Sequence, residues 1–135
     1  MGYRKMGERE FSFEKLEVYQ HARLLVRDVY RMQLRFPKYE LYALGDQIRR
    51  SASSVTSNIA EGSGRNSNKE KSHFIEISYG SLMEVFSQLQ IAQDLGYLTQ
   101  NEIDDMRPRF VQVAKMLSGL KNHFDNCPNS ITHNL

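Results

Sequence analysis

Apolar residues return at steps of three and four through four successive stretches of this chain, the period of an α-helix with one buried face. The first series is Phe13, Leu16, Tyr19, Ala22, Val26, Val29 and Tyr30, closed by Phe36. The second is Leu41, Leu44, Ile48, Ala52, Val55 and Ile59. The third runs through Phe74, Ile77, Ser78, Ser81, Leu82, Val85, Leu89, Ala92 and Leu95. The fourth is Ile103, Met106, Phe110, Val113, Leu117, Leu120 and Phe124. Nothing alternates in the two-residue period of a strand pair.

The boundaries have their own chemistry. Ser12 is placed to cap the first helix, and Pro37 stops it and biases Phe36 toward an extended backbone. Ser67 with Glu70, and Thr99 with Glu102, spell capping boxes for the third and fourth helices. Gly62 is expected to end the second helix in the left-handed conformation, and Gly96 to end the third. Pro108 is expected to kink the fourth. The expected fold is therefore all-α, an up-down-up-down antiparallel four-helix bundle over residues 13–124. A loose basic arm at 1–12 and an unpatterned, mobile tail at 125–135 flank it.

Composition bounds the function. At 135 residues the chain reads as one domain with a real core. The single cysteine, Cys127, excludes an internal disulfide and a cysteine zinc site, and it fits a reducing cytoplasm. No apolar run approaches the ~20 residues of a membrane span, and no export signal follows the N-terminus. The formal net charge of +2 is unevenly spread, with 14 Lys/Arg against 9 Asp/Glu in residues 1–71. Such asymmetry marks either a basic partner-binding face or two halves that attract each other.

Arg23, Arg27, Arg31 and Arg35 follow one another at four-residue steps and form a slanting stripe on the first helix. Like charges at that spacing repel by a few tenths of a kcal/mol per pair, which a phosphate backbone would relieve. The other readings are a solvated face, or pairing with acids of another helix; Asp28 is placed to reach Arg31. Arg49 and Arg50 lie beside the second apolar stripe, within reach of Asp46. Ser51, Ser53, Ser54, Thr56 and Ser57 are weak helix formers, which points to close approach of a neighbouring helix or to hydroxyls on an exposed face. Gly80 inside the third helix suggests tight helix contact. Gly62-Ser63-Gly64 lacks the preceding strand and the Lys-Ser/Thr ending of a nucleotide loop, although Arg65 and Lys69 at a helix start suit a single anion.

No catalytic constellation stands out. His21, His73, His123 and His133 have no partners at metal-ligand spacing, and Cys127 has no local base. No cofactor is expected, and the acidic residues Glu102, Asp104 and Asp105 suit a helix N-terminus without a metal. Glu61 or Glu84 is placed to form a partly buried ion pair with Arg49 or Arg50 across the bundle. Tyr39, Tyr42, Tyr79 and Tyr97 fall at the edges of the apolar stripes, as subunit-interface or ordinary surface residues.

Several blocks together resemble the 23S rRNA intervening-sequence proteins. They are Phe36-Pro37, Glu40-Leu41-Tyr42-Ala43-Leu44, Gln47-Ile48-Arg49-Arg50-Ser51-Ala52, Asn58-Ile59-Ala60-Glu61-Gly62, Gly80-Ser81-Leu82-Met83-Glu84 and Leu95-Gly96-Tyr97-Leu98. The likeness runs from about Phe13 to Leu120. That family is also similar to the accessory variability proteins of diversity-generating retroelements, which are homopentamers that bind nucleic acid and a reverse transcriptase. The resemblance implies a bacterial homo-oligomer, a pentamer, with RNA, DNA or such an enzyme as partner. It implies a structural role for Arg49, Arg50, Asn58, Glu61, Gly62, Gly80, Ser81 and Glu84.

The expected function is a non-catalytic oligomer that docks on nucleic acid electrostatically. Arg23, Arg27, Arg31, Arg35, Arg65, Lys69 and Lys71 would contact phosphates. The alternative is a protein-interaction scaffold without nucleic acid.

Overall fold

A computed structural model describes residues 10–127, in which four α-helices account for most of the chain and no strand occurs. They are α1 (Glu17–Gln33), α2 (Leu44–Ser63), α3 (Asn68–Asp94) and α4 (Gln100–Asn126). Residues 1–9 of the expected arm and 128–135 of the expected tail, with His133, lie outside the described residues.

The helix ends differ from expectation where a local contact overrides the cap. Ser12 does not cap α1. It opens a short 3-10 turn, Ser12–Lys15, and the chain extends at Leu16 before α1 begins. Glu14 holds this turn by accepting a hydrogen bond from the Phe11 backbone N–H at 3.0 Å. Gly62 does not end α2 either; the helix runs through Ser63, and Gly96 alone has a positive φ among the described residues. Gly96 closes α3 as expected. Its N–H donates to the Gln93 carbonyl, and the Tyr97 N–H reaches back to the Ala92 carbonyl, both at 2.9 Å, which is a Schellman closure. Ser67 accepts from the Glu70 N–H at the start of α3, and Thr99 with Glu102 completes a two-way capping box at the start of α4. Pro108 sits on an exposed turn of α4, and the helix is uninterrupted across it.

One core joins all four helices. Its fully covered side chains include Ile48, Ile59, Leu82, Leu89, Ile103 and Leu117, and each such burial contributes about 1.5–3 kcal/mol. The expected stripes of α2 and α4 are the buried ones, from Ile48 to Ile59 and from Ile103 to Leu117. In α1 the buried line is instead Val18, Ala22, Leu25, Val29 and Gln33, and Tyr30 is exposed. Ile77 of α3 and Leu95, the residue that caps it, are also exposed.

Each helix packs on the next in sequence, α2 on α3 most extensively, and α4 returns to α1. Their ends meet in pairs. Arg35, just past α1, pairs with Glu102 in the first turn of α4. Ser72 near the start of α3 donates to Asp125 at the end of α4, and Lys121 reaches both. Asp125 and Asn126, placed in the expected tail, thus belong to α4.

Candidate nucleic-acid interface

The α1 stripe folds into a network with α4. Arg27 donates to Asp28 at 3.0 Å, and Arg109 of α4 donates to the other Asp28 oxygen at 2.7 Å. Arg31 approaches the same carboxylate at 3.8 Å, and Arg35 is held by Glu102. Arg23 is exposed and has no ion-pair partner among the described residues. Guanidinium groups therefore surround two carboxylates, and the acids lie deeper: the Arg31 side chain is 69% exposed and that of Asp28 25%. The outermost charge on this face is positive.

The acids show it in their protonation. The hydrogen bond from Arg27, with Arg109 behind it, holds the Asp28 carboxyl below its ordinary range against the opposing effect of burial. Glu102 is lowered first by the Thr99 backbone N–H, with Arg35 adding to it. Arg109, like Glu102, joins this face only through tertiary packing. Its partner is 81 residues away in the chain, and no local spacing links them.

Arg65, Lys69 and Lys71 lie at the α2–α3 turn, apart from the stripe. Arg65 pairs with Glu61 at 2.7 Å and stacks over the Phe74 ring, 4.6 Å from its centre. Lys71 donates to the Ser63 carbonyl at 3.1 Å, which satisfies an orphan acceptor at the end of α2. Lys69 is exposed. The Gly62-Ser63-Gly64 segment is the last turn of α2 and its cap, a continuation of helix where a phosphate loop would have to turn.

The remaining motif residues hold α2 against its neighbours. An added Cβ at Gly62 would lie 2.9 Å from the Phe74 Cβ, so this glycine permits the α2–α3 crossing. Ser54 and Ser81 share a 2.8 Å hydrogen bond, Asn58 donates to the Ser54 hydroxyl and carbonyl, and buried Ser78 donates to the Val55 carbonyl at 2.7 Å. The hydroxyls of Ser53, Thr56 and Ser57 bond back to their own helix. So part of the hydroxyl run serves close helix approach and part is an exposed face.

Arg49 ties α2 to α1. It donates to buried Gln33 at 2.7 Å and to the Leu41 carbonyl at 2.8 Å. Arg50 pairs with Asp46 at 3.0 Å. The expected Glu61 or Glu84 ion pair with these arginines does not form: Glu61 takes Arg65, and Glu84 has no ion-pair partner among the described residues. An added Cβ at Gly80 would meet nothing within 4 Å among the described residues, so the expected tight contact is absent there.

Two tyrosines meet at the end of α3. Tyr97 donates to Glu40 at 2.6 Å, and its hydroxyl lies 3.2 Å from that of Tyr39. The hydrogen bond to Glu40 raises the Tyr97 phenol well above its ordinary value, and Tyr39 adds to this. Tyr39 and Tyr42 are largely exposed, at 76% and 88%. The Cys127 sulfur does have a histidine nearby, with His123 Nδ1 at 3.8 Å, which the four-residue spacing on one helix face allows. Among the described residues no three His, Cys, Asp or Glu converge to hold a metal, and no helix is long and apolar enough to cross a membrane.

The fold and this arrangement define a four-helix, all-α protein with a cationic α1–α4 face. The chain belongs to the 23S rRNA-intervening sequence protein family, whose profile matches residues 14–119. No curated protein matches it.

Proposed function

We propose that this protein is a non-catalytic, cytoplasmic homo-oligomer that docks on RNA or DNA through the α1–α4 arginine face. The observation that carries this reading is the layering of that face, with Arg27, Arg31 and Arg35 outside Asp28 and Glu102. Arginines held by carboxylates beneath them are pre-oriented, and they keep outward N–H donors for phosphate oxygens. Recognition of this kind is electrostatic and reads no bases. The family name, which refers to an element of ribosomal RNA genes, adds to this reading.

An antiparallel up-down-up-down arrangement goes with it. The meeting of Arg35 with Glu102, and of Ser72 with Asp125, supports that topology. A ring of such subunits, five by the resemblance to the retroelement accessory proteins, would repeat the cationic face and multiply a weak single contact.

The test is the salt dependence of binding to a fluorescent structured RNA, read by anisotropy. Affinity is expected to fall steeply with salt, and an Arg27→Ala/Arg31→Ala variant to reduce the log–log slope by about 1–2. A slope equal to the wild type's would remove this face from binding. The second reading is a protein scaffold, favoured by the exposure of Tyr39 and Tyr42; binding to a protein partner that survives high salt would support it.

A further inference from the structure

Two neighbouring faces of the α3–α4 half complement each other. Between α3 and α4 runs a groove of about 660 Å³. Phe86 and Phe110 line it, their rings 5.0 Å apart, and the exposed side chains of Tyr79, Met83 and Val111 edge it. Its charged lining is Arg107 and Lys115, both exposed and neither in an ion pair among the described residues. They stand eight residues apart on α4, about 12 Å along the axis at the usual helical rise.

The outer ridge of α3 has the opposite character. Ile77, Gly80, Glu84, Ile91 and Leu95 recur at helical spacing on one exposed face. Glu76 flanks it, again eight residues from Glu84 and about 12 Å along the axis. No Lys or Arg follows Lys71 in α3. Neither Glu76 nor Glu84 makes an ion pair among the described residues: Lys121, whose charge interacts with Glu76, is held by Asp125, and Arg50, which lines a small pocket together with Glu84, is held by Asp46. Gly80 adds a second feature. An added Cβ there would meet nothing within 4 Å, so the ridge carries a helix-weakening residue that no contact among the described residues requires. A missing side chain lets another backbone come close.

The geometry points to a head-to-tail contact between copies, in which the α3 ridge of one subunit enters the α3–α4 groove of the next and sets Glu76 and Glu84 against Arg107 and Lys115. This rests on the oligomeric reading above and assigns the faces that carry it. Groove and ridge are different patches, so the contact is heterologous and closes into a ring or runs on as a filament. Two grooves face to face would instead gather four cations on one seam, which like charges oppose.

The test is sedimentation velocity on the full chain and two charge-reversed forms, Arg107→Glu/Lys115→Glu and Glu76→Lys/Glu84→Lys, with circular dichroism to verify folding. Glu84→Lys alone serves if the double ridge variant fails to fold. Wild type is expected to assemble, and each variant alone to fall to subunit mass. An equal mixture is expected to form alternating assemblies heavier than either variant alone, because the acidic groove of one accepts the basic ridge of the other; strict alternation closes only even-numbered rings, so a five-membered ring is not expected to re-form. Variants that keep the wild-type mass would overturn the groove–ridge assignment while leaving the oligomer standing. Wild type at subunit mass at every concentration would overturn both. A monomer that takes up an acidic amphipathic helical peptide, lost on Arg107→Glu/Lys115→Glu, would give the groove to another protein and also overturn the assignment.

Discussion

Gly62 on α2 and Phe74 on α3 approach so closely that a methyl group on the glycine would lie 2.9 Å from the phenylalanine Cβ. Gly62→Ala is therefore expected to destabilise the protein by about 1–3 kcal/mol, the usual cost of overpacking a filled site. Gly80→Ala is expected to act in the opposite sense. Open space surrounds Gly80, and alanine improves a helix interior by about 1 kcal/mol relative to glycine. Urea midpoints of the dilute subunits check both signs. A Gly62→Ala midpoint at or above wild type would contradict the crossing geometry.

Ser78 is fully buried, and among the described residues its side chain hydrogen-bonds only to the Val55 carbonyl across the α2–α3 interface. Ser78→Ala is expected to lower stability by about 1 kcal/mol, since a carbonyl in a helix keeps its own backbone partner. Ser53→Ala, whose hydroxyl bonds only within α2 on an exposed face, is expected to change it by less than about 0.5 kcal/mol.

Stability is expected to fall in acid through the arginine face. Asp28 and Glu102 have folded pKa values below their unfolded ones, near 4 in free side chains. Groups of that kind stabilise the fold fully above the unfolded pKa. The contribution is lost as pH falls from there through the folded values. Asp28→Asn is expected to flatten the acid limb of a stability–pH profile below about pH 4. An unchanged limb would show that the α1–α4 network does not persist in solution.

Tyr97 has the reverse dependence. Its bond to Glu40 raises the folded phenol pKa above the unfolded value near 10. The stabilisation is whole below pH 10 and is lost as pH climbs from there toward the folded value. Tyr97→Phe is expected to remove that alkaline loss, as read by thermal melts between about pH 9 and pH 11.

The helices and most of the core were legible because periodicity is a local property. Ile48 to Ile59 and Ile103 to Leu117 occupy the faces their spacing assigns. The α1 face was legible only in part. Val18 and Leu25 are buried where Tyr30 and Phe13 competed for the same stripe, since a tyrosine with a hydroxyl to place settles at the edge. Gly62 misled because a glycine near a helix end satisfies two needs equally well in sequence, a left-handed cap or a close crossing, and only Phe74 on the facing helix decides between them. The arginine stripe was visible at once from its four-residue steps. Its completion by Arg109 and Glu102 was not, because both come from α4 and depend on tertiary packing.

The most direct measurement is light scattering of the full chain, alone and with a structured RNA, at low and high salt. Expected is an oligomer whose mass rises with RNA at low salt and returns to that of the protein alone at high salt. An oligomer whose mass ignores RNA at every salt concentration would contradict electrostatic docking on nucleic acid.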